Sequence, residues 1–367
     1  MLNFHFPRLT VAALATALVT IRAAEPGTPL PAAITEAARD LPVGGIVLAE
    51  IDGAKTVFSA AGKLEVTDVA PEQVLFEIGS ITKIFTGLLL AQAILENRAA
   101  LTDPIAKYLP ADLKLDPAVA AITLEQLATH TSGLPRLPTN FAPARPADPY
   151  ADYTVARLHA FLRDFHPKAP PPQAAAYSNL GFGLLGQLLQ KIFGQSYATL
   201  VAERITQPLG MADTMIVIDE TRRPRFAKPH AKGSAVEPWT FDAMTGAGAI
   251  RSTAADMARF ARALVSGEDS AVKAAWEFAR QPRADYNSNG AKVGLAILML
   301  PRPGGTIYDH AGATGGYRSY IELDPARQRA VVVLTNTAAL DPNGIVARAR
   351  RPAAAAGPAA PRTAKEE

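Results

Sequence analysis

Residues 317–323 (YRSYIEL), the turn at Asp324-Pro325 and Arg329–Thr335 (RAVVVLT) read as two consecutive strands joined by a tight connection. A third apolar run, 293–300, lies just upstream and also reads as a strand. At the other end of the chain, 45–51 (GIVLAEI) and 55–60 (KTVFSA) flank Asp52-Gly53, the pattern of a hairpin. Between these two strand-rich ends the period changes. From Ser80 to Asn97 the apolar residues Ile81, Phe85, Leu88, Leu89 and Ala93 fall on more than one helix face, which predicts a buried helix. Further helical pieces are expected at 124–129, 155–165, 183–193 and 197–205, and over Ala254–Val265 with Ser252 or Thr253 as its cap. A last helix is expected from about 341 to 351. Pro-rich loops at 135–149 and 167–172 separate the middle pieces, and there is no internal repeat. The predicted architecture is an α/β (α+β) fold: a central antiparallel sheet formed by N- and C-terminal segments, flanked by helices, with a mostly helical middle subdomain over about 85–255. A cleft between sheet and helical middle is the natural place for a site.

With 367 residues, 49% hydrophobic and 19% charged, the chain can bury a sizeable core, which excludes disordered and fibrous classes. Its formal charge of +3 sits at the ends. Arg348, Arg350, Arg351, Arg362 and Lys365 outweigh Glu366 and Glu367, Arg8 and Arg22 stand alone near the start, and residues 25–347 carry a net −2. The basic balance is therefore no argument for nucleic acid as a partner. The absence of cysteine excludes disulfides, thiol catalysis, Cys-ligated zinc and a lipid anchor on Cys. Arg8, the apolar run 9–21 and Ala23-Ala24 before Glu25 form the pattern of a signal peptide over 1–24, although Arg22 occupies a position usually held by a small residue. A periplasmic or secreted catalytic domain over 25–351 is the expectation, with no stable membrane anchor after cleavage. Residues 352–367 are expected to be a low-complexity tail.

Three short motifs carry chemistry. In Ser80-Ile81-Thr82-Lys83 the first and last residues share a helix face, so the Lys83 amine can reach the Ser80 hydroxyl. A helix start stabilises a developing alkoxide, and a buried lysine of lowered pKa can take the serine proton. In Tyr177-Ser178-Asn179, read as extended chain, Tyr177 and Asn179 point the same way into the cleft. A phenol beside a buried ammonium is expected to have a depressed pKa and to serve as general base, while the carboxamide holds a substrate amide or carbonyl. In His310-Ala311-Gly312-Ala313, at a strand end, His310 offers a donor or a partial positive charge, and Gly312 leaves room for a substrate backbone.

Ser-x-x-Lys, Tyr-x-Asn and a basic-x-Gly, in that order, resemble the serine β-lactamase and penicillin-binding protein family. The chain looks most like the branch of class C β-lactamases, D-Ala-D-Ala carboxypeptidases and β-lactamase-like esterases. The likeness extends to Phe76-Glu77-Ile78-Gly79-Ser80, Leu101-Thr102-Asp103-Pro104, Leu127-Ala128-Thr129-His130-Thr131-Ser132-Gly133-Leu134-Pro135, Pro208-Leu209-Gly210-Met211, Gly246-Ala247-Gly248 with Ser252-Thr253-Ala254, and Gly315-Gly316-Tyr317, spanning about 44–336. The resemblance implies an acyl-enzyme on Ser80, with Lys83 and Tyr177 sharing the base work and Asn179 on the substrate's amide side. His310 and Gly312 would bind substrate, and the backbone N–H groups of Ser80 and Ala313 would form the oxyanion hole. No cofactor and no metal are implied, and the partner is a small-molecule or peptide substrate of a monomeric enzyme. Thr129, His130 and Ser132 would shape a loop beside the cleft, with His130 in a structural role.

Two departures bear on the substrate. Class C β-lactamases usually carry lysine where this chain has His310, a weaker clamp for a substrate carboxylate near pH 7. Their glutamine in the loop after Gly-Leu-Pro is replaced, since Arg136 and Leu137 follow here. The sequence therefore supports a hydrolase of β-lactams or D-alanyl peptides. The alternatives are a carboxylesterase with the same Ser-Lys-Tyr machinery and a penicillin-binding sensor with little turnover.

Overall fold

The structure is a computed structural model and describes residues 27–302 and 304–351. The proposed signal peptide and tail lie outside the described residues. Eight strands make one antiparallel sheet: β1 (Gly44–Asp52), β2 (Lys55–Lys63), β7 (Ala284–Asp285), β8 (Lys292–Val293), β9 (Leu298–Arg302), β10 (Gly305–Ala313), β11 (Arg318–Asp324) and β12 (Arg329–Thr335). Two small pairs lie outside it, β3 (Leu75–Glu77) with β6 (Arg251–Thr253) and β4 (His230–Ala231) with β5 (Ser234–Ala235). The order in the large sheet is 2-1-12-11-10-9-8-7. The two ends of the chain meet at its centre, where β1 pairs with β12 in the register Ile46↔Thr335 to Asp52↔Arg329. The stretches 46–49 of β1 and 330–334 of β12 are apolar without interruption because both their faces are covered. Val47, Ala49, Val332 and Leu334 enter the main core, whereas Ile46, Leu48, Val331 and Val333 pack under α1 (Leu30–Ala38) and α11 (Pro342–Ala349).

The main core is closed by α2 (Thr82–Leu95), α9 (Ala254–Val265) and α10 (Ala271–Ala279). The helical middle adds α3 (Pro117–Ala120), α4 (Leu124–Ala128), α5 (Val155–Asp164), α6 (Asn179–Phe193), α7 (Tyr197–Val201) and α8 (Thr245–Gly248). As its pattern predicts, α2 is buried on every side from Thr82 to Ala93. Thr253, rather than Ser252, caps α9 by accepting from Asp256 N–H at 3.1 Å. Among the described residues no helix is long and apolar enough to cross a membrane.

Two elements differ from expectation in ways that matter for the site. The run 293–300 is not one strand. After β8 the chain leaves the sheet and Ala296 adopts φ +65°. There Leu295 N–H donates to Ala279 O at 2.8 Å and Ala296 N–H to Ala128 O at 2.9 Å, before β9 resumes pairing. Its apolar side chains are core residues that lean on α2 and α10, so apolarity alone could not tell ladder from packing. The helix expected from 183 starts at Asn179 instead, because Ser178 Oγ accepts from Gly181 N–H at 2.9 Å and caps it.

Gly87 records how closely α2 approaches that detour. In mid-helix an alanine ordinarily gains about 1 kcal/mol over glycine. Here a Cβ at 87 would lie 2.2 Å from Leu295 O and 3.0 Å from Ala296 Cβ. Gly87→Ala should therefore destabilise, by about 1–3 kcal/mol, the usual cost of overpacking. Thermal unfolding checks this, and a raised melting temperature would show that the two segments do not meet.

Candidate active site

Ser80 stands on a single 3-10 turn, Gly79–Ile81, between β3 and α2. The turn is fixed from three sides. Ile78 N–H donates to Ile250 O at 3.0 Å, and Ser319 Oγ donates to Ile78 O at 2.8 Å. Glu77 pairs with Arg251 at 3.2 Å across the β3–β6 ladder, with both side chains buried. Gly79 has φ +50°, and a Cβ there would lie 2.6 Å from Ala313 N. Only glycine lets the turn sit this close to the end of β10. The backbone N–H of Ala313 is thus brought beside the Ser80 turn.

Lys83 is fully buried, with 0% exposure, on the first turn of α2. Its Nζ lies 2.7 Å from Ala247 O, 2.9 Å from Asn179 Oδ1 and 3.2 Å from Ser80 Oγ. Burial, reinforced by the positive charge of Arg136, holds its pKa well below the ordinary lysine value. The amine is also 4.8 Å from the centroid of the Tyr177 ring.

Tyr177 and Asn179 both reach the cleft, as the Tyr-x-Asn reading expects, although Asn179 does so from the first turn of α6 rather than from extended chain. The loop 129–135 supports them. His130, at φ +62°, accepts from Ser178 N–H on Nδ1 at 3.1 Å, and its ring lies 4.7 Å from that of Tyr177. Ser178 Oγ donates to Pro135 O at 2.7 Å. His130 is buried and its pKa is held well below the usual histidine value by burial, then by Lys83. A neutral imidazole that accepts from a backbone N–H positions Tyr177, in keeping with a structural role.

The expected depression of the Tyr177 pKa does not occur. Loss of water pushes its phenol far up, and the hydrogen bond with Ser80 opposes this only in part. Desolvation of the buried phenol outweighs both that hydrogen bond and the positive charge of Arg136.

β10 carries the third motif. His310 Nδ1 lies 2.8 Å from Ala311 O, which can only accept, so Nδ1 holds the proton and Nε2 is left as an acceptor. Burial, followed by Lys83, lowers its pKa to about 4. His310 is therefore neither a cation near pH 7 nor, on Nε2, a donor, contrary to the sequence expectation. Gly312 also differs in its reason. A Cβ there would lie 2.1 Å from Ile78 O and 2.2 Å from Ser319 Oγ, so this glycine is required for packing against the Ser80 turn. Its main chain still lines the cleft.

Ser80, Tyr177, Asn179, His310, Gly312 and Ala313 line one cleft of about 690 Å³, a volume suited to a small molecule or peptide end. Tyr150, Trp239 and Tyr286 complete its walls. Tyr150 accepts from Asn179 Nδ2 at 3.2 Å and stacks on Phe241 at 4.9 Å. These three aromatics come from separate loops with no local pattern, and no sequence signal singles them out. Among the described residues no group of His, Asp and Glu could hold a metal ion.

Comparison with known proteins agrees with this geometry. The beta-lactamase family matches residues 30–356. The D-alanyl-D-alanine-carboxypeptidase/endopeptidase AmpH of Escherichia coli K12 is 31% identical over 314 residues, covering 80% of each chain. A beta-lactamase of the same strain is 28% identical over 330 residues, covering 80% of this chain and 84% of its own. Among solved structures, a class C beta lactamase from Rhodobacter sphaeroides superposes with TM-score 0.75 at 26% identity, covering 87% of this chain and 96% of its own. A beta-lactamase/D-alanine carboxypeptidase from Yersinia pestis gives 0.70 at 26% identity, over 80% and 87%. Fold, motif order and match length agree: the chain belongs to the β-lactamase family of serine hydrolases.

Proposed function

We propose that this chain is an exported, monomeric serine hydrolase that acylates Ser80 and hydrolyses β-lactams or D-alanyl peptides. The observation that carries the reading is the setting of Lys83. A neutral amine has two N–H bonds and one lone pair. Ala247 O and Asn179 Oδ1 can only accept, so they take the two N–H groups, and the lone pair is left facing Ser80 Oγ at 3.2 Å. Lys83 is then the resting base. Ser80 Oγ attacks the substrate carbonyl carbon as its proton passes to Lys83, and the new oxyanion is held by the N–H groups of Ser80 and Ala313. Tyr177, which keeps its proton, suits the second role. It protonates the leaving nitrogen as the C–N bond breaks and is reprotonated by way of Lys83. Water reverses the sequence at the acyl-enzyme and frees Ser80.

The relatives named as carboxypeptidase and beta-lactamase support this substrate class. The neutral state of His310 favours the second reading, an esterase for uncharged substrates. Purified protein assayed side by side on a chromogenic cephalosporin, a D-Ala-D-Ala peptide and p-nitrophenyl acetate separates the two. Steady turnover of either of the first two is expected, and ester turnover alone would overturn the proposal.

His310→Lys sharpens the test. A fixed ammonium should raise kcat/KM for substrates with a carboxylate beside the scissile bond, by about two- to fivefold for one partly exposed ion pair. An uncharged ester should gain nothing. Since His310 takes up a proton only near pH 4, the wild-type enzyme should show no histidine-dependent change between pH 6 and 8. Loss of both activities in the lysine variant would mean that position 310 acts through its ring.

A further inference from the structure

One wall of the cleft carries a cation that the chemistry above does not use. Arg136 lines it together with Ser80, Tyr177 and Asn179, and its side chain is exposed to it. Its backbone is held in place: Arg136 O accepts from Asn179 N–H at 3.0 Å and from Leu180 N–H at 3.2 Å, and Pro135 and Pro138 stiffen the loop on either side. The guanidinium carbon lies 5.0 Å from the centroid of the Tyr177 ring. A guanidinium over an aromatic face is attracted to it through its charge and still has N–H groups to offer a ligand. No described carboxylate lies within 4.0 Å of it.

The other basic groups of the cleft are engaged or uncharged. Arg318 Nη1 donates to Thr314 O at 2.8 Å and Tyr317 O at 2.9 Å, which ties it to the turn after β10. Lys83 is committed to Ser80, and His310 is neutral near pH 7. Of the acids lining the cleft, Asp309 accepts from Tyr320 Oη at 2.9 Å, and Asp341 lies at the start of α11. An anion entering beside Asn179 therefore meets an unneutralised, preoriented guanidinium. The charge of Arg136 reaches the working groups, since it acts on Lys83 and Tyr177 alike.

We infer that Arg136 makes the Asn179 side of the cleft a subsite for an anionic group, so that acyl donors bearing a carboxylate there are preferred. The inference rests on the acyl-enzyme reading of Ser80, in which Asn179 flanks the acyl amide. It concerns the side of the substrate away from the leaving group, and so is separate from any carboxylate met by position 310.

Three penicillins that differ only at the side-chain α-carbon, with a carboxylate, a hydrogen or an ammonium, test it. All three share the ring carboxylate, so only the acyl side varies. The measured quantity is the second-order rate constant for acylation of Ser80 in the wild type, R136A and R136K, at low and high salt. The wild type should favour carboxylate over hydrogen over ammonium, by about two- to fivefold per step, the scale of an exposed ion pair. The ratios should collapse toward one in R136A, return in R136K and shrink with added salt. An unchanged order in R136A, or no order in the wild type, overturns the inference. If no penicillin labels Ser80, the proposed substrate class fails instead, and p-nitrophenyl butyrate against p-nitrophenyl glutarate then gives the same comparison. Equal ratios for that pair in wild type and R136A would likewise overturn it.

Discussion

Ser80→Ala should abolish covalent labelling by penicillin and by a fluorophosphonate while the protein still folds. The substitution removes one hydroxyl from a turn whose shape is set elsewhere, by Ile78 bonded to Ile250 and Ser319 and by the Glu77–Arg251 pair. Circular dichroism and the melting temperature should therefore stay close to those of the wild type, while the acylation signal is lost outright. Mass spectrometry of the labelled wild-type protein should place the adduct on Ser80. An adduct on any other residue, or labelling that survives in the alanine variant, would sink the assignment.

Lys83→Ala should lower the acylation rate by about two to four orders of magnitude, the usual range for a general base. Tyr177→Phe should do the same. The double variant should fall short of the product of the two, because both residues serve one proton path. The pH profile separates the roles. The neutral form of Lys83 is the active one, so acylation should be present above its pKa and be lost as pH falls through it. Burial and Arg136 lower that pKa, and among the described residues no carboxylate faces Nζ to oppose them: its neighbours are Ser80, Asn179, Ala247 O, Tyr177, Phe182, His130 and His310. The acid limb should thus lie well below the ordinary lysine range and vanish in Lys83→Ala. Near-normal acylation in that variant would remove Lys83 from the mechanism.

Much of this was legible in the chain itself. The hairpin about Asp52-Gly53, the strands on either side of Asp324-Pro325 and the buried helix after Ser80 follow from local period and turn chemistry, which depend only on neighbouring residues. The order of Ser80-x-x-Lys83, Tyr177-x-Asn179 and His310-x-Gly312 pointed to a family and to one cleft. The split of 293–300 was not legible, because Leu295 and Ile297 are equally apolar whether they pair in a ladder or pack on α2.

Sequence alone determined which side chains are available for chemistry and along which elements they lie, since identity and spacing are covalent facts. Tertiary structure alone decided their protonation. Whether Lys83 holds a charge, whether Tyr177 keeps its proton and whether His310 is a cation depend on how much water each loses and which charges face it across the cleft. Those neighbours lie dozens to hundreds of residues away along the chain, so no local pattern encodes them. The same holds for Arg136. One arginine after a proline is unremarkable in sequence, and only the fold, by bonding its carbonyl to Asn179 and setting its guanidinium over the Tyr177 ring, leaves it in the cleft with no described carboxylate within 4.0 Å.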